Sequence, residues 1–368
     1  MDIPNAKFNT KEHSGFYKDL SKRVNDYFKK NNLSKKANFS IKIKGFLVFF
    51  LYISPFSLML FGVVSSPIIV LIMWAIMAMG MLGIGFGIMH DANHGAYSKS
   101  RAVNKFLGRS FNLLGSFDIT WRVQHNVLHH TYPNVHDLDE DMTNEVMRFS
   151  PTVDQKKRYR FQEYFGLFLY GLLTLHRLIT KDFEQLFRYH KQSLLAGQGY
   201  TFGRAFSELI LSKILYLSFT IGLLVYFTDI PIWTILLGFF IMHYIAGMAV
   251  AVVFQVAHVV NETEFYVPDS EGNLENNWAI HQLKTSIDFA HKSPLLTWFL
   301  GGLNYQVEHH LFPTVCHTHL PKISEIVKET TKEYGIPYLY HKTFYGAIES
   351  HFSHIKKMGT FNNKIELG

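Results

Sequence analysis

Two uncharged runs constrain this chain more than any other feature. Residues 45–64 and 67–89 contain no Asp, Glu, Lys or Arg, and a minimal Ser65-Ser66-Pro67 turn joins them. About twenty apolar residues in a helix span the hydrocarbon core of a bilayer, where every backbone polar group must be satisfied inside the segment. The pair predicts a helical membrane hairpin. A second pair is read over 209–227 and 232–257, separated by Thr228-Asp229-Ile230-Pro231. Lys213 stands near the start of the third run, where a charge is expected to snorkel or to mark the interface.

The expected fold is therefore all-α and integral to the membrane. Four transmembrane helices form two hairpins, with a cytosolic helical cap. The chain divides into a basic cytosolic segment with an amphipathic helix (1–44), a first hairpin (45–90), a cytosolic segment (91–208), a second hairpin (209–258) and a last cytosolic segment with the tail (259–368). In the first of these, Phe16, Leu20, Val24 and Phe28 recur every four residues with Lys and Arg opposite. Such a helix either lies on anionic headgroups or packs as an ordinary surface helix. Apolar stretches at 161–175 and 295–303 are short or broken by charge and read as interfacial or cap helices. The two tight turns carry no Lys or Arg, so the N-terminus, the 95–208 segment and the C-terminus are placed in the cytoplasm. No secretory leader fits the charged lead, and a bacterial inner membrane is the expected location. The net charge of +7 becomes an orientation signal, and nucleic acid drops out as a partner.

Histidine is the second anomaly, at 20 residues against 29 acids. His90 and His94 in HDANH follow the second apolar run. His125, His129 and His130 lie in HNVLHH. His258 ends the fourth run, and His309 and His310 follow it in QVEHH. By the derived topology all eight fall on one face of the membrane. Residues four apart on a helix lie one above the other, which aligns His90 with His94 and His125 with His129. Eight imidazoles exceed the needs of one tetrahedral ion and suit two metals with three or four nitrogens each; Fe, Zn, Cu and Ni all accept imidazole. The single cysteine, Cys316, excludes a disulfide framework within the chain, a Cys-ligated zinc and a protein-held iron–sulfur cluster. Asp91, Asp118, Asn134, Asp137, Asp139, Glu140, Asp141 and Glu308 are candidates to orient the rings. Asp91 and Glu308, inside the motifs, are the stronger ones, whereas the DLDED run reads mainly as a solvated acidic loop. His176, His190, His341, His351 and His354 read as surface residues.

HDANH, HNVLHH and QVEHH, with HHTYPN after the second and LNYQVEHHLFP around the third, resemble the three histidine boxes of the integral-membrane fatty acid desaturases. Gln306 at the head of the third box resembles the front-end type. The resemblance covers roughly residues 40–345. It implies two Fe ions that use O2 and two externally supplied electrons to place a cis double bond in an acyl-CoA or acyl-lipid chain. His90, His94, His125, His129, His130, His258, His309 and His310 would be both ligands and catalytic residues. Gln306 would orient His309 or hold a water, with Asp91 and Glu308 behind the ligands. No HPGG haem motif occurs, so electrons are expected from a separate ferredoxin or cytochrome b5, in contact with a fatty acyl substrate in membrane lipid. A histidine-box hydroxylase or ketolase is the nearest rival. A membrane metal transporter is the rival of another class, although transporters place ligands near the bilayer midplane.

Overall fold

The computed structural model describes residues 6–10, 13–142 and 146–360. Its main helices are α1 (Phe16–Lys30), α2 (Phe39–Leu60), α3 (Pro67–Asn93), α4 (Asp118–Arg122), α5 (Asp182–Lys191), α6 (Phe202–Phe227), α7 (Ile232–His258), α8 (Trp278–Thr285), α9 (Gln306–Leu311), α10 (Leu320–Glu333) and α11 (Phe344–Thr360). Two short parallel pairs complete it, β1 (Lys7–Phe8) with β2 (Asn273–Leu274) and β3 (Asp288–Phe289) with β4 (Tyr340–His341).

Helices α2, α3, α6 and α7 are long and apolar enough to cross a membrane, as the four apolar runs predict. Two of them, α2 and α6, begin earlier than hydropathy alone indicates. The Asn38 side chain accepts the Ile41 N–H and starts α2 before Lys42 and Lys44; Thr201 caps α6 in the same way. A side-chain cap satisfies an orphan N–H of the first turn, so it sets the start independently of charge. Helix α3 runs on through a π-helical turn at Ile84–Met89 into the first histidine box.

The chain folds as two compact units. One, from 37–123 and 167–251, contains α2, α3, α6 and most of α7. Gly80 lets α3 close on α2: a Cβ there would lie 2.5 Å from the Tyr52 backbone nitrogen. Lys213 neither snorkels nor marks an interface. Its Nζ is buried, 2.5 Å from Asp182 of α5 and 2.8 Å from the Gly115 carbonyl. Asp182 also accepts Arg177 at 2.9 Å and the Thr120 hydroxyl at 2.8 Å. The carboxylate thus joins α5, α6 and α4, and a charged group survives in the apolar helix because its counter-charge is buried beside it.

The other unit comes from 1–36, 124–166 and 252–368. Here Phe16, Leu20, Val24 and Phe28 of α1 are buried with Leu283, Val307, Leu311, Ile323 and Val327. The apolar face of α1 is therefore packed inside protein, which decides between the two readings of that helix. Two of the supposed surface histidines are also buried. His351 and His354 of α11 reach the carbonyls of Val259 and Phe149, each at 2.7 Å. His176 and His190 are exposed as expected.

Two outcomes follow from these contacts. Asp182→Ala leaves Lys213 and Arg177 buried without their anion and should destabilise the protein by about 3–5 kcal/mol. Thermal unfolding in detergent measures it, and an unshifted midpoint would show the cluster to be structurally idle. Burial lowers the pKa of both His351 and His354 to about 4, below the ~6.5 of an undocked chain. Between those values only the undocked form gains protons, so the docking of α11 should weaken as pH falls from about 6.5 to 4. Hydrogen-exchange protection over 344–360, taken relative to the intrinsic exchange rate at each pH, should fall across that window, and less so in His354→Gln.

Candidate metal centre

The second histidine box does not form the expected α-helix. Val123–His129 is a π-helix, and the His130 N–H bonds the His125 carbonyl, five residues back, at 2.9 Å. The wider turn brings residues five apart onto one side. The rings of His125 and His130 are 4.7 Å apart, with Nε2 atoms 3.2 Å from each other, and His125 and His129 stack at 5.4 Å. Metal–nitrogen bonds of about 2.1 Å place two ligand nitrogens roughly 3.0–3.4 Å apart, so 3.2 Å suits two ligands of one ion as well as a single hydrogen bond.

The third box forms α9, which holds His309 and His310 in the same unit. His310 lies 4.4 Å from His130, 4.9 Å from His129 and 4.8 Å from His258, ring to ring. His309 lies 4.6 Å from His130 and 6.1 Å from His125. One set is close enough to share an ion: the potential ligand atoms of His129, His258 and His310 all fall within 4.8 Å of each other, and all three residues are fully buried.

The other nitrogen of each ring determines where the lone pair points. His258 Nδ1 sits 2.9 Å from the Thr285 carbonyl, which can only accept, so Nδ1 carries the proton and Nε2 the lone pair. His129 Nδ1 donates to Asp139 at 3.0 Å, and His310 Nδ1 to the Gln282 amide oxygen at 2.8 Å. The Nε2 atoms of His129 and His310 are buried and meet no protein hydrogen-bond partner. A buried nitrogen lone pair without a partner costs free energy, and a cation at the convergence of the three removes that cost. The donor set fits a metal.

Electrostatics around the set is divided. Burial works against charge on His129, but Asp139 outweighs it and raises the pKa. Burial also opposes the Asp139 charge, yet His129 and the Asn134 N–H bring that carboxyl below its usual range. Burial, with the neighbouring imidazoles, holds His310 well below the ordinary histidine value, in the neutral form a metal needs.

Among the expected orienting residues, Asp139 reaches a ligand candidate directly and is fully buried, against the reading of DLDED as a solvated loop. Asn134, with φ of 57°, donates its N–H to Asp139 and its amide to the carbonyls of His258 and Glu264. Asp137 is exposed, and Asp141 accepts from Gln124. Glu308 is buried and takes the Tyr338 hydroxyl at 2.9 Å; burial, then Asp288 beside it, raises its pKa well above normal. Gln306 does not turn to His309: its amide nitrogen lies 3.0 Å from His258 Nε2, where it competes with a metal for that lone pair. In the other unit, His90 and His94 are 4.8 Å apart ring to ring, and Trp121 edges both at 5.9 and 6.1 Å. Asp91 is buried in that unit, and Asp118 pairs loosely with Arg122 at 3.9 Å.

Sequence reasoning did not single out Gln282 or Thr285 of α8. Its residues 278, 281, 282 and 285 lie at i, i+3, i+4 and i+7, one helical face, and all four serve the site. The Trp278 indole donates to the His130 carbonyl at 3.4 Å, and His281 meets the Pro133 carbonyl at 2.8 Å. Gln282 takes His310 and the Thr285 carbonyl takes His258. The readable signal was a helical stripe carrying Trp, His, Gln and Thr in place of aliphatics. Removing such outer partners typically weakens metal binding by about 10–100-fold. Gln282→Leu and Asp139→Ala should each lower retained metal by that order when the protein is equilibrated with buffered metal. Unchanged content across the titration would remove these residues from the centre.

Residues 65–342 match the family model described as fatty acid desaturase. The chain is 34% identical to the sn-1 linoleoyl-lipid 6-desaturase of Arthrospira platensis, covering 94% of this chain and 92% of that one. Identity is 33% to the protein of the same name from Synechocystis sp., over 94% and 96% of the two chains. It is 33% to the acyl-lipid (8-3)-desaturase of Physcomitrium patens, over 96% and 74%. With that match spanning most of its length and the buried histidine centre in place, the chain belongs to the fatty acid desaturase family.

Proposed function

We propose that this membrane oxidoreductase is a front-end acyl-lipid desaturase, placing a cis double bond between an existing one and the carboxyl end of a lipid-bound acyl chain. The observation that carries the reading is the set of three buried imidazoles, His129, His258 and His310, each with its Nδ1–H held by a dedicated acceptor. The names of the relatives support lipid-bound acyl chains as substrates rather than acyl-CoA. The reaction balances as one –CH2–CH2– unit, O2, two electrons and two protons giving –CH=CH– and two waters. A separate ferredoxin or cytochrome b5 supplies the electrons. The hairpin turns, free of Lys and Arg, support cytoplasmic termini in a bacterial inner membrane.

His90, His94, His125, His129, His130, His258, His309 and His310 are assigned as ligands of two irons. With O2 and the delivered electrons, those irons supply the oxidant that an unactivated C–H bond demands. The chain contributes orientation and dryness. Asp139, Gln282 and the Thr285 carbonyl fix the tautomers. Asn134 ties the end of α7 to the loop after the second box. Full burial of His129, His258 and His310 keeps competing water from the reactive atoms.

Expression in a host fed defined polyunsaturated fatty acids, followed by lipid profiling, tests this. A new double bond on the carboxyl side of an existing one is expected, and His309→Ala should abolish it while the protein still inserts. A hydroxy fatty acid in place of the alkene would favour the hydroxylase reading. Metal analysis should return about two irons per chain; stoichiometric zinc without iron would end the oxygen-activation account.

A further inference from the structure

Helix α1 hides its apolar face and shows a basic one. Lys18, Lys22, Lys29 and Lys30 are exposed. At 100° per residue, Lys18, Lys22 and Lys29 fall within about 40° of one another on the helix surface. Lys35 extends the stripe, with its Nζ 2.5 Å from the Asn25 amide oxygen of α1. Arg23 stands outside it, held by Asp19 and by both carboxylate oxygens of Glu333. Asp26, 4.0 Å from Lys22, is the acid beside the stripe. Positive charge therefore prevails on the outward side of a helix whose other side is already buried.

A second surface point, about 100° round α1 from Lys18, leads to the metal centre. Tyr17, one residue before Lys18, is 37% exposed, so its ring reaches the surface. Its hydroxyl donates to the Leu311 carbonyl at 3.1 Å, one residue from His310. Its ring meets Trp278 edge-on at 5.2 Å, and the Trp278 indole donates to the His130 carbonyl at 3.4 Å. One hydrogen bond links Tyr17 to the third box. One ring contact and one hydrogen bond link it to the second.

We propose that the Lys18–Lys22–Lys29 stripe with the Tyr17–Trp278 edge is the docking site of an acidic one-electron carrier protein, and that electrons enter the metal centre through it. The proposal rests on the reading that electrons come from a separate protein. Each docking oxidises the carrier by one electron and reduces the centre by one, so two dockings serve one double bond, with protons taken from water. Lysines of one sign steer an acidic partner and set its affinity in a salt-dependent way. The Tyr17 and Trp278 contacts supply a short through-bond route, so neither ring has to be oxidised. An anionic membrane surface is the alternative occupant. It is disfavoured because α1 has no free apolar face to insert.

The test is binding of an acidic [2Fe–2S] ferredoxin to the full-length, iron-loaded protein in neutral-lipid nanodiscs. Lys18→Glu/Lys22→Glu/Lys29→Glu should raise Kd at least tenfold and flatten its dependence on salt, with iron content unchanged as a folding control. The corresponding triple Arg variant should keep the wild-type Kd. Trp278→Phe should leave Kd in place but slow ferredoxin oxidation in a single turnover. An unchanged Kd and salt dependence in the Glu variant overturns the proposal. So does a Glu variant that loses affinity for anionic nanodisc lipid while binding ferredoxin normally. Wild-type protein that binds and oxidises ferredoxin but makes no alkene would fail the desaturase reading while supporting this docking site.

Discussion

A neutral imidazole has one N–H and one lone pair, so three rings can aim three lone pairs at one buried point only if three buried acceptors take the three N–H groups. That condition governs the centre. Asp139, the Gln282 side chain and the Thr285 carbonyl meet it for His129, His310 and His258. Each acceptor must itself be fixed. Asp139 receives the N–H groups of Asn134 and Asp141, and Asn277 caps the helix that carries Gln282 and Thr285. The three imidazoles are held from behind, by groups outside the boxes.

Helix α8 is where these demands meet. It is short and lies between two boxes in sequence, yet one face of it touches residues of the second box, the third box and the end of α7. It also buries Ala279, Ile280 and Leu283 in the core shared with α1, α9 and α10. Packing of α1 and orientation of the ligands are therefore linked through one element, which places the exposed Tyr17 two contacts from His130.

The unit with the long helices solves a different problem. It keeps charge inside an apolar bundle by grouping Lys213, Arg177 and Asp182, and it lets α2 and α3 approach through Gly80. Thr120 ties α4 to that cluster, and the next residue, Trp121, lies against His90 and His94. The buried ion group thereby stabilises the surroundings of the first box, so a cost in desolvation has a positional return.

The sequence by itself determined the four apolar helices, because in a bilayer only length and absence of charge are needed to specify a span. It also determined the histidine set, because ligand chemistry is written in residue type. It could not show that the second box is a π-helix, since i and i+4 spacing suits an α-helix equally well. Nor could it show that Asp139 is buried rather than solvated, that Gln306 turns to His258, or that His351 and His354 are internal. Each of those facts depends on a partner more than 5 residues away in the chain or on a carbonyl that any residue carries, such as Thr285, Val259 or Phe149. Residue identity supplied the groups that could hold a metal; tertiary structure alone chose which nitrogen of each ring faces the centre, because the hydrogen bond on the opposite nitrogen is made by distant backbone and side chains.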